Sequence, residues 1–484
     1  MSTDAHHAQA AAGPAPMTAR FRWLLAALVV AELTCALESN MVTVALARLY
    51  GQYGDPLHVT WLITAYSLTA AATVAVSSRL GDLYGRRRML VVTLGFAAVG
   101  SLISLFGTSL NVIIAGRAVQ GASLAVLPLA FGIVREHAAD SREVGIGVGV
   151  LGGTFSFSTG MGIVLGGVIV DHAPWQYIFL ASATVAVLAI GFVLRILPRD
   201  RPRAVRGRID WIGGTSFVIP LTAVLLSLNF GKAQGWQAPL PWALLLGGAA
   251  GIATWVRYML RQSNPLIDIR LLGVRRIALA NAVICTFTLG PLIYPQVLLP
   301  LLQQPQWTGV GLGISATLAG LIKLPTNVTS AVAAIYAGYA AHRFTLRRVV
   351  ILAAAANLLA WVLLLFFHDS AWSLALAAVL LIAPAGTIIF GVAPGLIIEA
   401  APADRTSEAT GMTTVLRGIA LAVGSQIVAL CLTTSSIVNA AGEKYPDERA
   451  YLAAFLFVTA CGAASLVLAL MLPRPAPPGA VGAA

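Results

Sequence analysis

The strongest constraint on this chain is that apolar stretches of about 20 residues recur along almost all of its sequence. A bilayer core about 30 Å thick is crossed by about 20 helical residues, and backbone that faces lipid must satisfy its own hydrogen bonds. With 58% hydrophobic and only 10% charged residues, the chain has too few polar residues to cover a water-soluble globule. We therefore predict an all-α integral membrane protein.

Fourteen apolar windows define the expected membrane spans. They lie at 23–46, 58–78, 89–108, 110–134, 145–170, 176–197, 211–230, 240–260, 277–302, 313–340, 349–367, 371–398, 409–437 and 450–472. Because this number is even, both chain termini are expected on the same side of the membrane.

The basic residues orient these spans. Of the 31 Lys and Arg residues, 24 fall in gaps on the side of the N terminus, four in the opposite gaps and three inside spans. This asymmetry follows the positive-inside rule, so we predict a multi-pass protein of the cell (inner) membrane with both termini in the cytoplasm. Topology also accounts for the net charge of +12, and we expect no nucleic-acid partner.

Two basic segments, at 195–208 and 261–276, divide the spans into groups of six, two and six. A weak sequence echo relates the outer groups, because 79–88 follows the second span and 338–348 follows the second span of the last six. We predict two six-helix bundles with two additional transmembrane helices between them. The expected units are a disordered cytoplasmic tail at 1–22, an N-terminal bundle at 23–197, a basic linker with the two additional helices at 198–276, a C-terminal bundle at 277–472 and a cytoplasmic tail at 473–484.

Five segments, read in order along the chain, resemble motifs of one known family. The segment at 78–88 resembles the loop motif between the second and third helices of the major facilitator superfamily, and 117–121 resembles its fourth-helix motif. Three further segments are similar to signatures of the fourteen-helix drug:proton antiporter branch, and they lie at 38–46, 264–272 and 411–424. The similarity covers nearly the whole length.

This resemblance implies a secondary active transporter that exports hydrophobic or amphipathic small molecules in exchange for protons, by alternating access. The proton gradient is then the energy source, and no cofactor and no enzymatic reaction are expected. The chain departs from the branch in its fifth helix, where Ile163 follows Gly162 in place of proline. A proton-coupled carrier of an organic anion, nutrient or lipid therefore stays open as an alternative, as does a non-transporting membrane sensor. We expect a monomer whose partners are a small-molecule substrate, protons and the lipid bilayer.

Ionisable residues inside the spans are the candidates for transport chemistry, because a charge at the bilayer centre is costly unless it has a function or a partner. At a rise of 1.5 Å per residue, Glu38 in the first span and Arg117 in the fourth lie at similar depths. We predict that Glu38 is the coupling acid and Arg117 its regulator, with a purely structural ion pair as the alternative. Glu32 is a second candidate for coupling or substrate binding.

Lys323 and Arg417 bring positive charge to the second bundle, which permits an anionic or zwitterionic cargo. The alternatives are that Arg417 snorkels towards the interface and that Lys323 pairs with an acid of the first bundle. We expect no metal site, because all four cysteines lie in apolar spans and none is in a CxxC or Cys/His cluster.

Two further groups are expected to serve conformational change. Arg79, Asp82, Gly85 and Arg86 form a predicted gating loop, in which a carboxylate holds helix ends or guanidinium groups in one conformer. The glycines of the fifth span allow close helix approach, and the predicted helix-packing motif is Gly162, Gly166 and Gly167.

Overall fold

The computed structural model describes residues 18–200, 210–262, 269–400, 406–439 and 443–473. The first six predicted spans correspond to eight α-helices and one 3-10 turn. They are α1 (Ala19–Tyr53), α2 (Pro56–Val59), α3 (Trp61–Tyr84), α4 (Arg86–Leu105), α5 (Leu110–Gln120), the 3-10 turn Gly121–Ala125, α6 (Val126–His137), α7 (Ser141–His172) and α8 (Tyr177–Ile196).

The additional helices and the last six spans follow. The elements are α9 (Trp211–Thr215), α10 (Val218–Gln234), α11 (Pro239–Arg261), a 3-10 turn (Ile269–Gly273), α12 (Arg275–Leu289), a 3-10 turn (Pro291–Ile293), α13 (Tyr294–Gln303), a 3-10 turn (Gln306–Thr308), α14 (Ala316–Arg343), α15 (Leu346–Phe366), α16 (Ala371–Ala377), a π-helical turn (Ala378–Ile382), α17 (Ala383–Ala400), α18 (Thr406–Leu432), β1 (Ser436–Val438), β2 (Lys444–Pro446) and α19 (Glu448–Leu470). The two strands pair antiparallel, with Ile437 opposite Tyr445.

Side-chain caps explain where several helices begin. Thr18 accepts a hydrogen bond from the amide of Phe21 at the start of α1, and Asp140 accepts one from the amide of Glu143 at the start of α7. Such caps satisfy amides that have no partner within the helix. Because Thr18 caps it, α1 begins four residues before the predicted span, and it continues to Tyr53, where Gly54 ends it with a φ of 66°.

Thirteen helical spans of the described residues are long and apolar enough to cross a membrane. The predicted count of fourteen is therefore not fully matched. The predicted span that is absent from these thirteen is the tenth, at 313–340. The structure has a helix there, α14, with 28 residues. Lys323, Pro325 and Asn327 lie in this helix and lower its hydropathy. The predicted tails are described only from Thr18 and up to Pro473, and their remaining residues lie outside the described part.

Both described chain ends lie at one end of the molecule, which we call the inner end; the opposite one is the outer end. The amide of Thr18 donates to Glu143 at the start of α7, and Arg347 at the start of α15 donates to the carbonyl of Leu472. Since α14 runs antiparallel to α7, its last residue, Arg343, also lies at the inner end.

The first six spans and the last six meet mainly along two helix pairs, α7 with α14 and α3 with α18, and α1 also contacts α13. In the first pair, the carboxylate of Asp171 accepts hydrogen bonds from the amides of Ala316, at 3.0 Å, and Thr317, at 2.7 Å. In the second pair, the amide of Gln426 donates to the hydroxyl of Thr64 at 2.8 Å. All of these contacts lie towards the outer end.

Among the described residues, three glycines on the inner half of α7 have no neighbour from the other half. A Cβ placed on Gly149, Gly152 or Gly153 would meet no heavy atom within 4 Å, whereas one on Gly167 would lie 2.5 Å from the carbonyl oxygen of Ala316. In the described part of the chain, the two halves are therefore closed together at the outer end and apart along α7 towards the inner end.

The additional helices pack beside the second of these pairs. Phe217 and Leu221, at the start of α10, share an apolar cluster with Trp61 and Ala65 of α3. Gly248 of α11 lies close to the α10 backbone, which lets these two helices approach tightly. The additional helices therefore extend the apolar packing around α3 and α18.

Candidate functional site

Glu38 lies near the middle of α1 and is only 1% exposed. The hydroxyl of Ser123 donates to its Oε2 at 2.7 Å, while Ser101 and the amide of Gln120 donate to its Oε1 at 3.4 and 3.5 Å. These donors come from α4, α5 and the 3-10 turn after α5. The carboxylate is thus held in the centre of the first half by three polar groups, which lower the cost of burying it.

Arg117 lies beside Glu38 and is equally buried. Its Nε donates to the carbonyl of Leu62 at 3.0 Å, and its Nη1 donates to the carbonyl of Glu38 at 3.1 Å and to Oε1 of Gln120 at 2.9 Å. Its guanidinium carbon also lies 4.3 Å from the centre of the Tyr66 ring, a cation–π distance. Arg117 therefore connects α1, α3 and α5.

The predicted proximity of Glu38 and Arg117 is present, but its form differs from the expected ion pair. Among the described contacts, none within 4 Å joins the guanidinium to the carboxylate. Gln120 lies between them, since it accepts from Arg117 and donates to Glu38 and, at 2.6 Å, to Ser101. The acid and the guanidinium therefore interact mainly through one amide and the backbone.

The polar residues of this network were missed by the sequence reasoning. Gln120 falls inside the fourth-helix motif but had no predicted role, and Ser101, Ser123 and Tyr66 carry no motif of their own. The available signal was helical spacing. Arg117 and Gln120 are three residues apart, so their side chains lie on the same face of α5. That face is the one that contacts α1.

Glu32 does not belong to this network. It is fully buried, and both of its carboxylate oxygens lack a hydrogen-bond partner among the described residues. Its neighbours along the same face of α1, Leu28 and Cys35, belong to the apolar core of the first half. An ionised carboxylate left unpaired in such surroundings costs several kcal/mol.

Lys323 and Arg417 lie in the second half, each near an aromatic ring. The ammonium of Lys323 is 5.6 Å from the centre of the Tyr294 ring, and the guanidinium carbon of Arg417 is 5.4 Å from that of Phe390. No carboxylate of a described side chain lies within 4 Å of either cation. The alternative of an ion pair between Lys323 and an acid of the first bundle is therefore not found in the part of the chain that the structure covers.

The predicted gating loop is described only in part, because the side chains of Arg79 and Asp82 lie outside the described residues. Gly85 ends α3 with a φ of 105°, and Arg86 donates to the carbonyl of Gly132 and lies 3.8 Å from the carboxylate of Glu136. The loop is thus attached to α6.

Asp200, which the sequence reasoning did not single out, completes this loop. Its carboxylate accepts hydrogen bonds from the amides of Arg87, at 3.0 Å, and Arg88, at 2.9 Å. It therefore caps the first turn of α4 from a segment that follows α8.

Replacing Gly85 by alanine is expected to destabilise this loop. The φ of 105° disfavours any residue with a Cβ, and the new Cβ would lie 2.3 Å from the carboxyl group of Asp200. We expect Gly85→Ala to lower the free energy of unfolding by about 1–3 kcal/mol, measured as a lower midpoint of thermal unfolding in detergent. Gly95→Ala, in the helix α4 that follows this loop, is the matched control because its Cβ would meet nothing within 4 Å. Equal midpoints for the two variants would contradict this interpretation.

The three glycines of the predicted packing motif contact different partners. A Cβ on Gly162 would lie 3.2 Å from the Cα of Leu37, and one on Gly166 would lie 3.0 Å from that of Met41, so both face α1. Gly167 faces the backbone of α14. Two of these glycines therefore let helices approach within the first half, and one does so between the halves.

These features can be compared with known proteins. The profile described as Major Facilitator Superfamily matches residues 28–425 of the chain. The chain belongs to this superfamily. The assignment agrees with the predicted multi-pass membrane transporter that is not an enzyme, and with the all-helical fold. Among solved structures, the inward-open conformation of the xylose transporter XylE from E. coli shares the fold: the match covers 95% of this chain and 98% of that chain with a TM-score of 0.62, at 12% identity.

Curated relatives of the chain are named as transporters and resistance proteins. The chain is 31% identical over 341 residues to the probable actinorhodin transporter of Streptomyces coelicolor. This match covers 68% of this chain and 57% of that protein. It is 26% identical over 397 residues to the multidrug resistance protein Stp of Mycobacterium tuberculosis, covering 81% and 72% respectively. The match thus spans less than two thirds of the first relative's length.

Proposed function

We propose that this superfamily member is a proton-coupled antiporter that exports hydrophobic or amphipathic small molecules. The observation that carries the proposal is the buried carboxylate of Glu38, held by three donors next to Arg117 in a molecule whose halves are apart at the inner end. The names of the relatives, which include multidrug resistance proteins and an efflux pump, support export.

Coupling follows from the donors around Glu38. Ser101, Gln120 and Ser123 all donate to the carboxylate, so protonation adds an O–H donor among three donors, and at least one of these hydrogen bonds must reverse or break. Gln120 is also the acceptor for Arg117, and Arg117 donates to the carbonyl of Leu62 in α3. Because α3 forms one of the main contacts between the halves, proton binding at Glu38 changes the balance between inner-open and outer-open states.

We further propose that α14 crosses the membrane, which gives fourteen spans. Its 28 residues extend about 42 Å at 1.5 Å per residue, more than a bilayer core, and it packs antiparallel along α7. The positive-inside distribution supports a cytoplasmic inner end. A single chain contains both halves, which favours a working monomer in the cell membrane.

The proposal is tested with the full chain reconstituted in liposomes that carry an inward-acid pH gradient, reported by an acridine dye. A panel of lipophilic cations, neutral aromatic compounds and organic anions is added, and a substrate is expected to dissipate the gradient at a rate that empty liposomes do not show. Efflux from intact cells should stop when a protonophore collapses the gradient. Transport that continues unchanged after collapse would overturn proton coupling.

A further inference from the structure

The two intramembrane cations of the second half lie beside the contacts between the halves. From their placement we propose, resting on the transport function above, that the cargo is an amphipathic organic acid whose anionic group binds Lys323 after passing Arg417. Neither the fold nor the relatives indicate the charge of the cargo. The side chains of Lys323 and Arg417 favour a negative one.

Lys323 lies at the depth where α14 passes α7. Gly320, three residues earlier, packs against the carbonyl of Ile163, and a Cβ on Gly160 would lie 3.0 Å from the side chain of Leu324. Lys323 therefore lies next to the boundary between the halves. Its side chain is 8% exposed, so its ammonium is largely removed from solvent.

The depth of Lys323 also matches that of Glu38. Gly162 of α7, one residue before Ile163, packs against Leu37 of α1, the residue that precedes Glu38. The proposed anion site and the proposed proton site therefore occupy the same layer of the molecule, on opposite halves. Cargo and proton can then influence each other electrostatically through a medium of low dielectric constant.

Arg417 lies nearer the inner end. It is exposed, and the next residue, Gly418, is where α18 packs closely on Ala71 of α3. Arg417 is eleven residues from Thr406, the first residue of α18, which corresponds to about 17 Å of helix. An anion that enters from the inner end therefore meets Arg417 before it reaches the layer of Lys323.

The local charge balance favours an anion over a cation. Lys323 and Arg417 have no described carboxylate within 4 Å, while the buried acids Glu32 and Glu38 both belong to the first half. Aromatic rings partly compensate each cation by cation–π attraction. A bound carboxylate, sulfonate or phenolate would compensate them further, and the rings of Tyr294 and Phe390 would contact an apolar body. A cationic cargo would be repelled.

The inference is tested by binding to the purified full chain in nanodiscs, with empty nanodiscs as the blank. Three probes share one ring system and differ in head group: 2-naphthoate, 2-naphthylmethanol and 2-naphthylmethylammonium. We expect the acid to bind at least about tenfold more tightly than the other two, since a hydrogen bond to a charged group contributes about 1.5–3 kcal/mol.

Substitutions then locate the site. We expect Lys323→Gln to remove at least about tenfold of the affinity for 2-naphthoate while leaving the alcohol unchanged, and Lys323→Arg to retain the preference. Arg417→Gln should mainly slow association of the acid, because it acts on approach. Lys232→Gln is the matched control, since Lys232 lies on α10 and donates to the carbonyl of Thr433 at the outer end. Unchanged binding of the alcohol shows that each variant is folded.

Equal binding of the three probes, or equal losses for acid and alcohol in Lys323→Gln, would overturn the inference. The proton assay separates this result from a failure of the transport proposal. If a neutral or cationic compound dissipates the gradient and the acid does not, the antiporter proposal stands and the anion inference fails. If the acid binds selectively but no compound moves protons, the antiporter proposal fails and the anion site stands.

Discussion

Glu38→Gln is expected to reduce proton-driven transport to the level of empty liposomes, while cargo still binds. Glutamine fills nearly the same volume but cannot gain or lose a proton, and its amide nitrogen is a donor where Ser101, Gln120 and Ser123 all donate. The variant therefore resembles the protonated state permanently. Facilitated exchange of cargo across the membrane, which needs no net proton movement, should persist.

Two measurements check this expectation. One is the rate at which substrate dissipates an imposed pH gradient, and the other is counterflow of labelled cargo with no gradient present. Glu32→Gln is the comparison, because Glu32 is equally buried but has no described hydrogen-bond partner. If Glu38→Gln keeps full gradient-driven transport and Glu32→Gln loses it, the assignment of the coupling acid is reversed.

Gly167→Leu is expected to prevent closure of the outer end and so to abolish the transport cycle. A Cβ at this position would lie 2.5 Å from the carbonyl oxygen of Ala316 and 2.8 Å from the Cα of Thr317. These are backbone atoms of a helix, which cannot turn aside as a flexible side chain can. The larger leucine must therefore separate α7 from α14, and the variant should populate the outer-open state.

Accessibility of the outer core measures this shift. Ala319 of α14 is fully buried, so a cysteine there, in a chain whose four native cysteines are replaced by alanine, should react slowly with an impermeant maleimide added from outside. We expect Gly167→Leu to accelerate the reaction at least about tenfold, as local opening exposes the site. Gly191→Leu on α8 is the control, because its Cβ would meet no atom within 4 Å. Equal labelling rates in both variants would show that Gly167 does not limit closure.

The sequence predicted the class of fold and the proximity of Glu38 and Arg117 because both depend on quantities that a sequence contains. Span length follows from apolar windows, and depth follows from counting residues along a helix of known rise. The predicted count of fourteen and the thirteen spans of the structure differ at α14, for a physical reason. A helix that packs between the two halves can carry polar residues such as Lys323 and Asn327, because those side chains need not face lipid. Hydropathy alone therefore identifies such a span poorly.

The atoms that meet at the site could not be predicted, because depth does not fix how a helix is rotated about its own axis. Ser101 and Ser123 donate to Glu38 only because α4 and the 3-10 turn present those faces to α1. The indirect contact of Arg117 through Gln120 depends on side-chain rotamers. Asp200 is a long-range cap on α4, and no local pattern connects it with Arg87.

The position of Asp171 provides the molecule with a built-in reporter. A carboxylate from one half satisfies the first amides of a helix in the other half, so those of Ala316 and Thr317 lose their acceptor whenever the halves separate at the outer end. The rate of deuterium uptake at these two amides should then report how often the outer end opens, without any added probe. A cargo that accelerates the transport cycle should accelerate this uptake as well.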